Sequence, residues 1–81
     1  MKKKIAILGS TGSIGRQTLD IVRKNKKFFE ISLITANKNF SLLCKQIKEF
    51  KVRNIIVTDI NCFNKLKKKF KNLNIHNDLN K

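Results

Sequence analysis

Eighty-one residues with three glycines and no proline allow one small domain at most, and a chain of that length buries only about 60–65% of its unfolded surface. The formal charge of +14 invites a polyanion partner, but Lys, Asn, Ile and Phe make up more than half of the residues, a bias that an AT-rich coding sequence also produces. Lysines are scattered along the chain rather than gathered on one stripe and Phe is the only aromatic type, so specific nucleic-acid recognition is disfavoured and only non-specific adhesion is expected.

Lys2 to Lys4 followed by Ile5-Ala6-Ile7-Leu8 imitates the start of a signal peptide, but the apolar run stops at Gly9, short of an h-region of about 7–15 residues. No stretch is long enough to span a membrane, and the cytoplasm is the expected compartment. The run is instead a short strand. Behind it stands Gly9-Ser10-Thr11-Gly12-Ser13-Ile14-Gly15, three glycines at spacing three between a strand pattern and a helix pattern. The chain must reverse sharply, which Gly9 permits; the backbone must approach a diphosphate, which Gly12 permits; the helix must pack tightly, which Gly15 permits. Amides from Thr11 to Ile14, lacking intrahelical partners, point at an anion together with the positive end of the helix dipole. Thr11 and Ser13 add hydroxyls at the same mouth. The spacing is GxxGxxG, not the commoner GxGxxG, so an ordinary Gly/Ser loop is the competing interpretation.

The pattern predicts a helix from Ile14 to about Asn25, with Ile14, Leu19, Ile21 and Val22 as its apolar face and Asp20 solvated or ion-paired. Asn25 tolerates the left-handed conformation and ends it. Phe28 to Thr35 reads as a second strand, which completes a right-handed βαβ unit. Where NAD-type sites carry an acid near the end of that strand, this chain has Ala36-Asn37-Lys38-Asn39; Glu30 lies too early and Glu49 too late. A carboxylate there repels a 2′-phosphate and Lys38 attracts it, favouring NADP over NAD, unless Lys38 is one more solvated lysine.

Asn39 or Ser41 caps a helix over Phe40 to Phe50, whose Phe40, Leu43, Ile47 and Phe50 form a core stripe. Asn54 to Thr58 reads as a buried strand. Asp59 then caps a third helix, with Phe63, Leu66 and Phe70 inward. Leu73 to His76 forms a fourth strand, and residues 77–81 are polar and expected to fray. Cys44 and Cys62 make neither a disulfide framework nor a metal box and are expected as small buried side chains. His76, the sole histidine, has no companion at ligand spacing and is expected at the surface. The order βαβαβα(β) predicts an α/β fold, a Rossmann-like parallel sheet with helices on both faces, and amounts to half of a dinucleotide-binding domain. Residues 1–81 are therefore expected to be the front part of a longer protein.

Ile7-Leu8-Gly9-Ser10-Thr11-Gly12-Ser13-Ile14-Gly15, then Thr18-Leu19-Asp20-Ile21-Val22-Arg23, resembles the N-terminus of the 1-deoxy-D-xylulose 5-phosphate reductoisomerase family, and the resemblance continues through Thr35-Ala36, Lys38-Asn39, Gln46 and Glu49-Phe50. It implies an NADPH-dependent oxidoreductase of the non-mevalonate isoprenoid route. Such an enzyme needs magnesium or manganese and is a homodimer when full-length. It rearranges 1-deoxy-D-xylulose 5-phosphate, a small phosphosugar, and reduces the product to 2-C-methyl-D-erythritol 4-phosphate. The family's cofactor contacts map onto Thr11, Gly12, Ser13 and Ile14 at the diphosphate turn and onto Asn37, Lys38 and Asn39 at the 2′-phosphate end. Asn37 stands where relatives often carry Gly, and Lys26 where many carry Pro. The family's metal-binding acids, substrate-phosphate site and lid lie beyond residue 81, so no catalytic or metal-ligating residue is assigned here and the chain alone is expected to be inactive. The alternatives are a stand-alone nucleotide-binding module and a lysine-rich polyanion binder without catalysis.

Overall fold

The computed structural model describes residues 2–77. It arranges them as β1 (Lys3–Ile7), α1 (Ser13–Lys24), β2 (Phe29–Ala36), α2 (Phe40–Phe50), β3 (Asn54–Val57), α3 (Ile60–Lys69) and β4 (Asn74–His76). Every strand pair is parallel and the strand order is β1-β2-β3-β4. The register sets Ile5 against Ile31, Ile34 against Ile55 and Ile55 against Ile75, with an irregularity between Ile5 and Ala6. Ile31, Ile34, Ile55 and Ile75 form the core with Leu19, Val22, Leu43, Ile47, Val52, Val57 and Leu66, and half-buried Ile5 packs against it. The elements match the predicted ones to within about two residues at each end, the ordinary fraying of such boundaries. Residues 78–81, expected to fray, lie outside the described residues.

The layering differs from expectation. Strands added in one direction through right-handed crossovers place every connecting helix on the same face. Helices on both faces need a point where the strand order reverses, and the order here has none. Neighbouring helices accordingly touch: Arg23 of α1 bonds Glu49 of α2, and the Lys65 ammonium of α3 lies 5.7 Å from the Phe40 ring centroid of α2. The opposite sheet face carries the alternate residues Ala6, Leu33, Ile56 and His76, which are exposed or half-buried. His76 is thus a surface residue, as expected, but on a strand.

The inward face of α1 also differs. Ile14 is 79% and Ile21 60% exposed, and the buried positions are Gly15, Leu19 and Val22. The cause is Gly15. A Cβ there would lie 2.1 Å from the Gly9 carbonyl oxygen and 2.7 Å from Ser10 Cα, so only a bare Cα fits against the turn backbone. That contact fixes the rotation of the helix. Ile14, one residue earlier and hence about 100° around the axis, is turned outward, and Ile21 with it. In α2 and α3 the predicted stripes hold: Leu43, Ile47 and Leu66 are buried, and Phe40, Phe50, Phe63 and Phe70 pack against the core half-exposed.

The helix ends follow local chemistry. Asp59 caps α3, its carboxylate accepting from the Cys62 amide at 2.9 Å. Asn39, not Ser41, caps α2 by accepting from Leu42 N–H at 3.3 Å. Asn25 is not left-handed (φ −131°); it ends α1 by donating its side-chain amide to Ile21 O at 2.7 Å. The left-handed residue is Lys51 after α2, at φ 53° and ψ 44°. Cys44 and Cys62 are buried and unbridged, and burial pushes the Cys62 thiol pKa up, which keeps it protonated and unreactive.

Arg23 fastens α1 to α2. Its guanidinium bonds Asp20 on its own helix and both oxygens of Glu49, with Nη2 donating to Oε1 at 2.8 Å. The bond to Arg23 holds the Glu49 pKa below its ordinary 4.5 despite partial burial.

Three consequences are measurable by urea unfolding. Gly15→Ala should cost at least about 2 kcal/mol, because backbone rather than a flexible side chain must move. Lys51→Gly should add ~0.5–1 kcal/mol of stability, read as a higher midpoint at unchanged slope, since glycine adopts a positive φ without strain. Because the Glu49 pKa is lowered on folding, its pairing contributes fully above about pH 4.5 and is lost as pH falls through the lowered folded value. Glu49→Gln should remove that part of the acid dependence, about 0.5 kcal/mol for so exposed a pair.

Candidate cofactor site

Parallel strands bring their carboxyl ends to one edge, and the two stretches singled out in the sequence leave neighbouring strands there. Gly9 to Gly15 follows β1, and Asn37 to Asn39 follows β2.

The turn is built by hydrogen bonds to its inner side. Gly9, at φ +70°, makes the reversal that a side chain would strain. Its N–H donates to Thr35 Oγ1 at 3.0 Å, and Ser10 N–H donates to Thr35 O at 2.9 Å. Gly12 N–H closes the turn on Gly9 O at 3.0 Å. Gln46 of α2 reaches in and donates Nε2 to Ser10 O at 2.8 Å. Ser10, Thr35 and Gln46 are the buried polar residues among those described, and all three meet at this turn.

On the outer side the groups stay free. Gly12 is the N-cap of α1 and makes no side-chain cap; the first bond of the helix runs from Arg16 N–H to Gly12 O. The amides of Ser13, Ile14 and Gly15 precede it and have no intrahelical acceptor. The first turn of α1 contains no acid to neutralise the positive end of the dipole. Gly12 and Ser13 are exposed and Thr11 is half-buried. A Cβ on Gly12 would lie 3.4 Å from Gly9 O, at the edge of ordinary contact, so the fold itself does not demand glycine there.

The second stretch is held rather than loose. Asn37 accepts from Thr58 Oγ1 at 2.7 Å through its side chain and from Asp59 N–H at 3.0 Å through its carbonyl. Asn39 is committed to capping α2, while Lys38 is exposed. Asp59 spends its carboxylate on α3, and Glu30 lies near the opposite end of β2. All seven expected residues thus lie along one edge, four with free or exposed groups at the turn and Lys38 as the cation next to it. A cleft of about 490 Å³ between α1 and α2 shares only Ser13 with them, so the expected site is an open rim.

Thr35 and Gln46 were not singled out from the sequence for this site. Thr35 ends a β-prone run and looks like any strand threonine. Gln46 carried a signal: it interrupts the stripe Leu43, Ile47, Phe50 with a primary amide on the buried side. Among the described residues, no group of three or more His, Cys, Asp or Glu side chains could hold a metal ion, and no helix is long and apolar enough to cross a membrane.

The sequence model of the 1-deoxy-D-xylulose 5-phosphate reductoisomerase family matches residues 5–80. The reductoisomerase of Pelagibacter ubique is 57% identical over 61 residues, which cover 75% of this chain and 16% of the relative. That of Caldanaerobacter subterraneus is 61% identical over 57 residues, 70% of this chain and 15% of the relative. The chain therefore spans about one sixth of the length of the curated relatives it matches. Among solved structures, the fold superposes on the Zymomonas mobilis reductoisomerase in complex with NADPH with a TM-score of 0.82 at 27% identity, over 95% of this chain and 20% of that one. It superposes on a reductoisomerase in complex with NADPH, fosmidomycin and magnesium with a TM-score of 0.88 at 28% identity, over 96% and 20%. With its Rossmann-like sheet, its glycine turn and these relatives, the chain belongs to the 1-deoxy-D-xylulose 5-phosphate reductoisomerase family.

Proposed function

We propose that this chain is the NADPH-binding part of a reductoisomerase that converts 1-deoxy-D-xylulose 5-phosphate to 2-C-methyl-D-erythritol 4-phosphate, in the cytoplasm and as a homodimer. The observation that carries the reading is the carboxyl edge of the sheet, where unpaired α1 amides follow β1, Lys38 follows β2, and the one acid among the described residues there, Asp59, is bonded to the Cys62 amide. The turn fits a diphosphate: it offers N–H groups, a dipole end and a glycine where the ligand comes closest. When bound, NADPH supplies the hydride.

The residues present bind and orient. Thr11, Gly12 and Ser13 hold the diphosphate through backbone and hydroxyl donors. Exposed Ile14 gives a ring of the dinucleotide an apolar surface. Asn37, fixed by Thr58, and Asn39, fixed by its cap, frame Lys38, whose ammonium meets the 2′-phosphate. The magnesium of the relatives finds no ligand set among the described residues, so no step through a metal is assigned to them and the chain alone is inactive. Its lysines adhere to nucleic acid without recognising sequence.

Titration of the chain with NADPH, NADH and duplex DNA at two salt concentrations tests the reading. NADPH should bind at least tenfold more tightly than NADH, and DNA binding should collapse as salt rises. Lys38→Glu should weaken NADPH by roughly 1.5–3 kcal/mol and leave NADH nearly unchanged, the worth of a charge-assisted hydrogen bond. Equal affinity for the two nucleotides would sink the NADP reading, and salt-resistant DNA binding would favour the polyanion binder. Replacing the matched segment of the Pelagibacter ubique relative with this one should preserve NADPH-dependent turnover.

A further inference from the structure

We infer that Gln46 is a positioning residue for the cofactor turn, setting which way the Ser10–Thr11 peptide faces; the inference deepens the NADPH reading above and rests on it. The chain has no cis peptide among its described bonds, so the Ser10 carbonyl and the Thr11 N–H point in opposite directions across one plane. Gln46 Nε2 holds the carbonyl inward at 2.8 Å, in a buried contact. The Thr11 N–H is thereby aimed outward, toward the mouth where the α1 amides lie. Were the plane to turn over, a carbonyl oxygen would face the diphosphate in place of a donor, and the site would repel what it is built to hold.

The neighbouring peptides are fixed by other bonds. Gly9 N–H and Ser10 N–H are both taken by Thr35, and Gly12 N–H is taken by Gly9 O. Ser10 O follows the end of β1 at Ile7 and gains no ladder partner, so its orientation depends on a side chain from another element.

Gln46 is a poor choice for stability alone. It is 4% exposed, beside Leu43 and Ile47 on the inner face of α2, and its Oε1 has no hydrogen-bond partner among the described residues. The hydroxyl of Ser10, across the same bond, has none either. A side chain of equal length without polar atoms would fill the space and leave nothing unsatisfied on α2. What the amide adds is one donor, placed on a buried turn carbonyl that no backbone group holds.

The test compares the parent chain with Gln46→Met, which keeps length and removes the donor. The variant should unfold cooperatively, with a urea midpoint at most modestly below the parent's, because Met removes the partnerless Oε1 but leaves Ser10 O without its donor. It should bind NADPH and NADH at least tenfold more weakly, and by the same factor for both, because the diphosphate is common to them. Lys38→Glu, by contrast, should separate the two nucleotides. In 15N spectra without any nucleotide, the Thr11 and Gly12 amides should shift or broaden, while the amides of α2 around Ile47 keep their hydrogen-exchange protection. Three results would overturn the assignment: affinity within twofold of the parent, turn amides unchanged in the nucleotide-free spectrum, or loss of the cooperative transition, which would make Gln46 a structural residue. If the parent binds neither nucleotide, the reading in the previous subsection fails, and the nucleotide-free spectra still decide whether Gln46 orients the peptide.

Discussion

The closeness of Gly15 to the backbone of Gly9 and Ser10 constrains everything around it. With no Cβ in the way, α1 starts directly against the turn that precedes it, and the turn therefore cannot relax outward. That approach sets the rotation of the helix, buries Leu19 and Val22 against the sheet and leaves Ile14 standing free at the helix start. It also places the unbonded amides of the first turn at the carboxyl edge of β1, beside the segment leaving β2. One missing methyl group thus links packing to ligand geometry. A larger residue would have to move backbone that Thr35 and Gln46 hold from two other elements.

Charge is distributed in keeping with that geometry. The chain carries a large excess of positive side chains, but what matters at the edge is where its few acids go. Asp20 and Glu49 are both engaged by Arg23, on the helix layer. Asp59 stands at the edge, its N–H on Asn37 O, and turns its carboxylate to the Cys62 amide. Glu30 lies toward the far end of β2. The rim formed by the Gly9–Gly15 turn and Asn37–Asn39 carries backbone donors and, among the described side chains, the exposed cation Lys38, with exposed Arg16 directly after the turn. Where the acids are engaged is a more specific statement than net charge.

The sequence revealed much of this and concealed the rest for identifiable reasons. The glycine spacing, the Asp59 cap and the alternating isoleucines are local signals, and local signals survive into the structure. The face of α1 was misjudged because Ile14 and Ile21 fall at helical spacing as convincingly as Gly15, Leu19 and Val22; apolar periodicity cannot choose between stripes about 100° apart when a glycine makes the deciding contact. Lys51 in a left-handed conformation has no composition cue, since the residues that announce such a turn are Gly and Asn. Helix layering was out of reach for another reason. The order of elements along the chain does not state the order of strands in the sheet, and only the latter determines which face a helix covers. Gln46 marked itself, as an amide within an apolar stripe, but its partner is a carbonyl 36 positions away.

A sheet covered on one face has a thin margin of stability, and this bears on how binding and folding share the same bonds. The side of the sheet that carries Ala6, Leu33 and Ile56 is partly open, so the apolar area withdrawn from water per residue is smaller than in a sheet covered on both faces. The polar bonds that shape the turn do little to make up the difference, because the buried atoms Ser10 Oγ and Gln46 Oε1 lack partners. A ligand that binds only the folded form adds stability by mass action, about 2.7 kcal/mol at a hundredfold excess over its dissociation constant. Against the roughly 5–15 kcal/mol by which native domains are stable, that increment is a substantial share. The turn's inner bonds therefore contribute less through their own strength than through the shape they impose: Thr35 and Gln46 hold the backbone of Gly9 and Ser10 from two other elements.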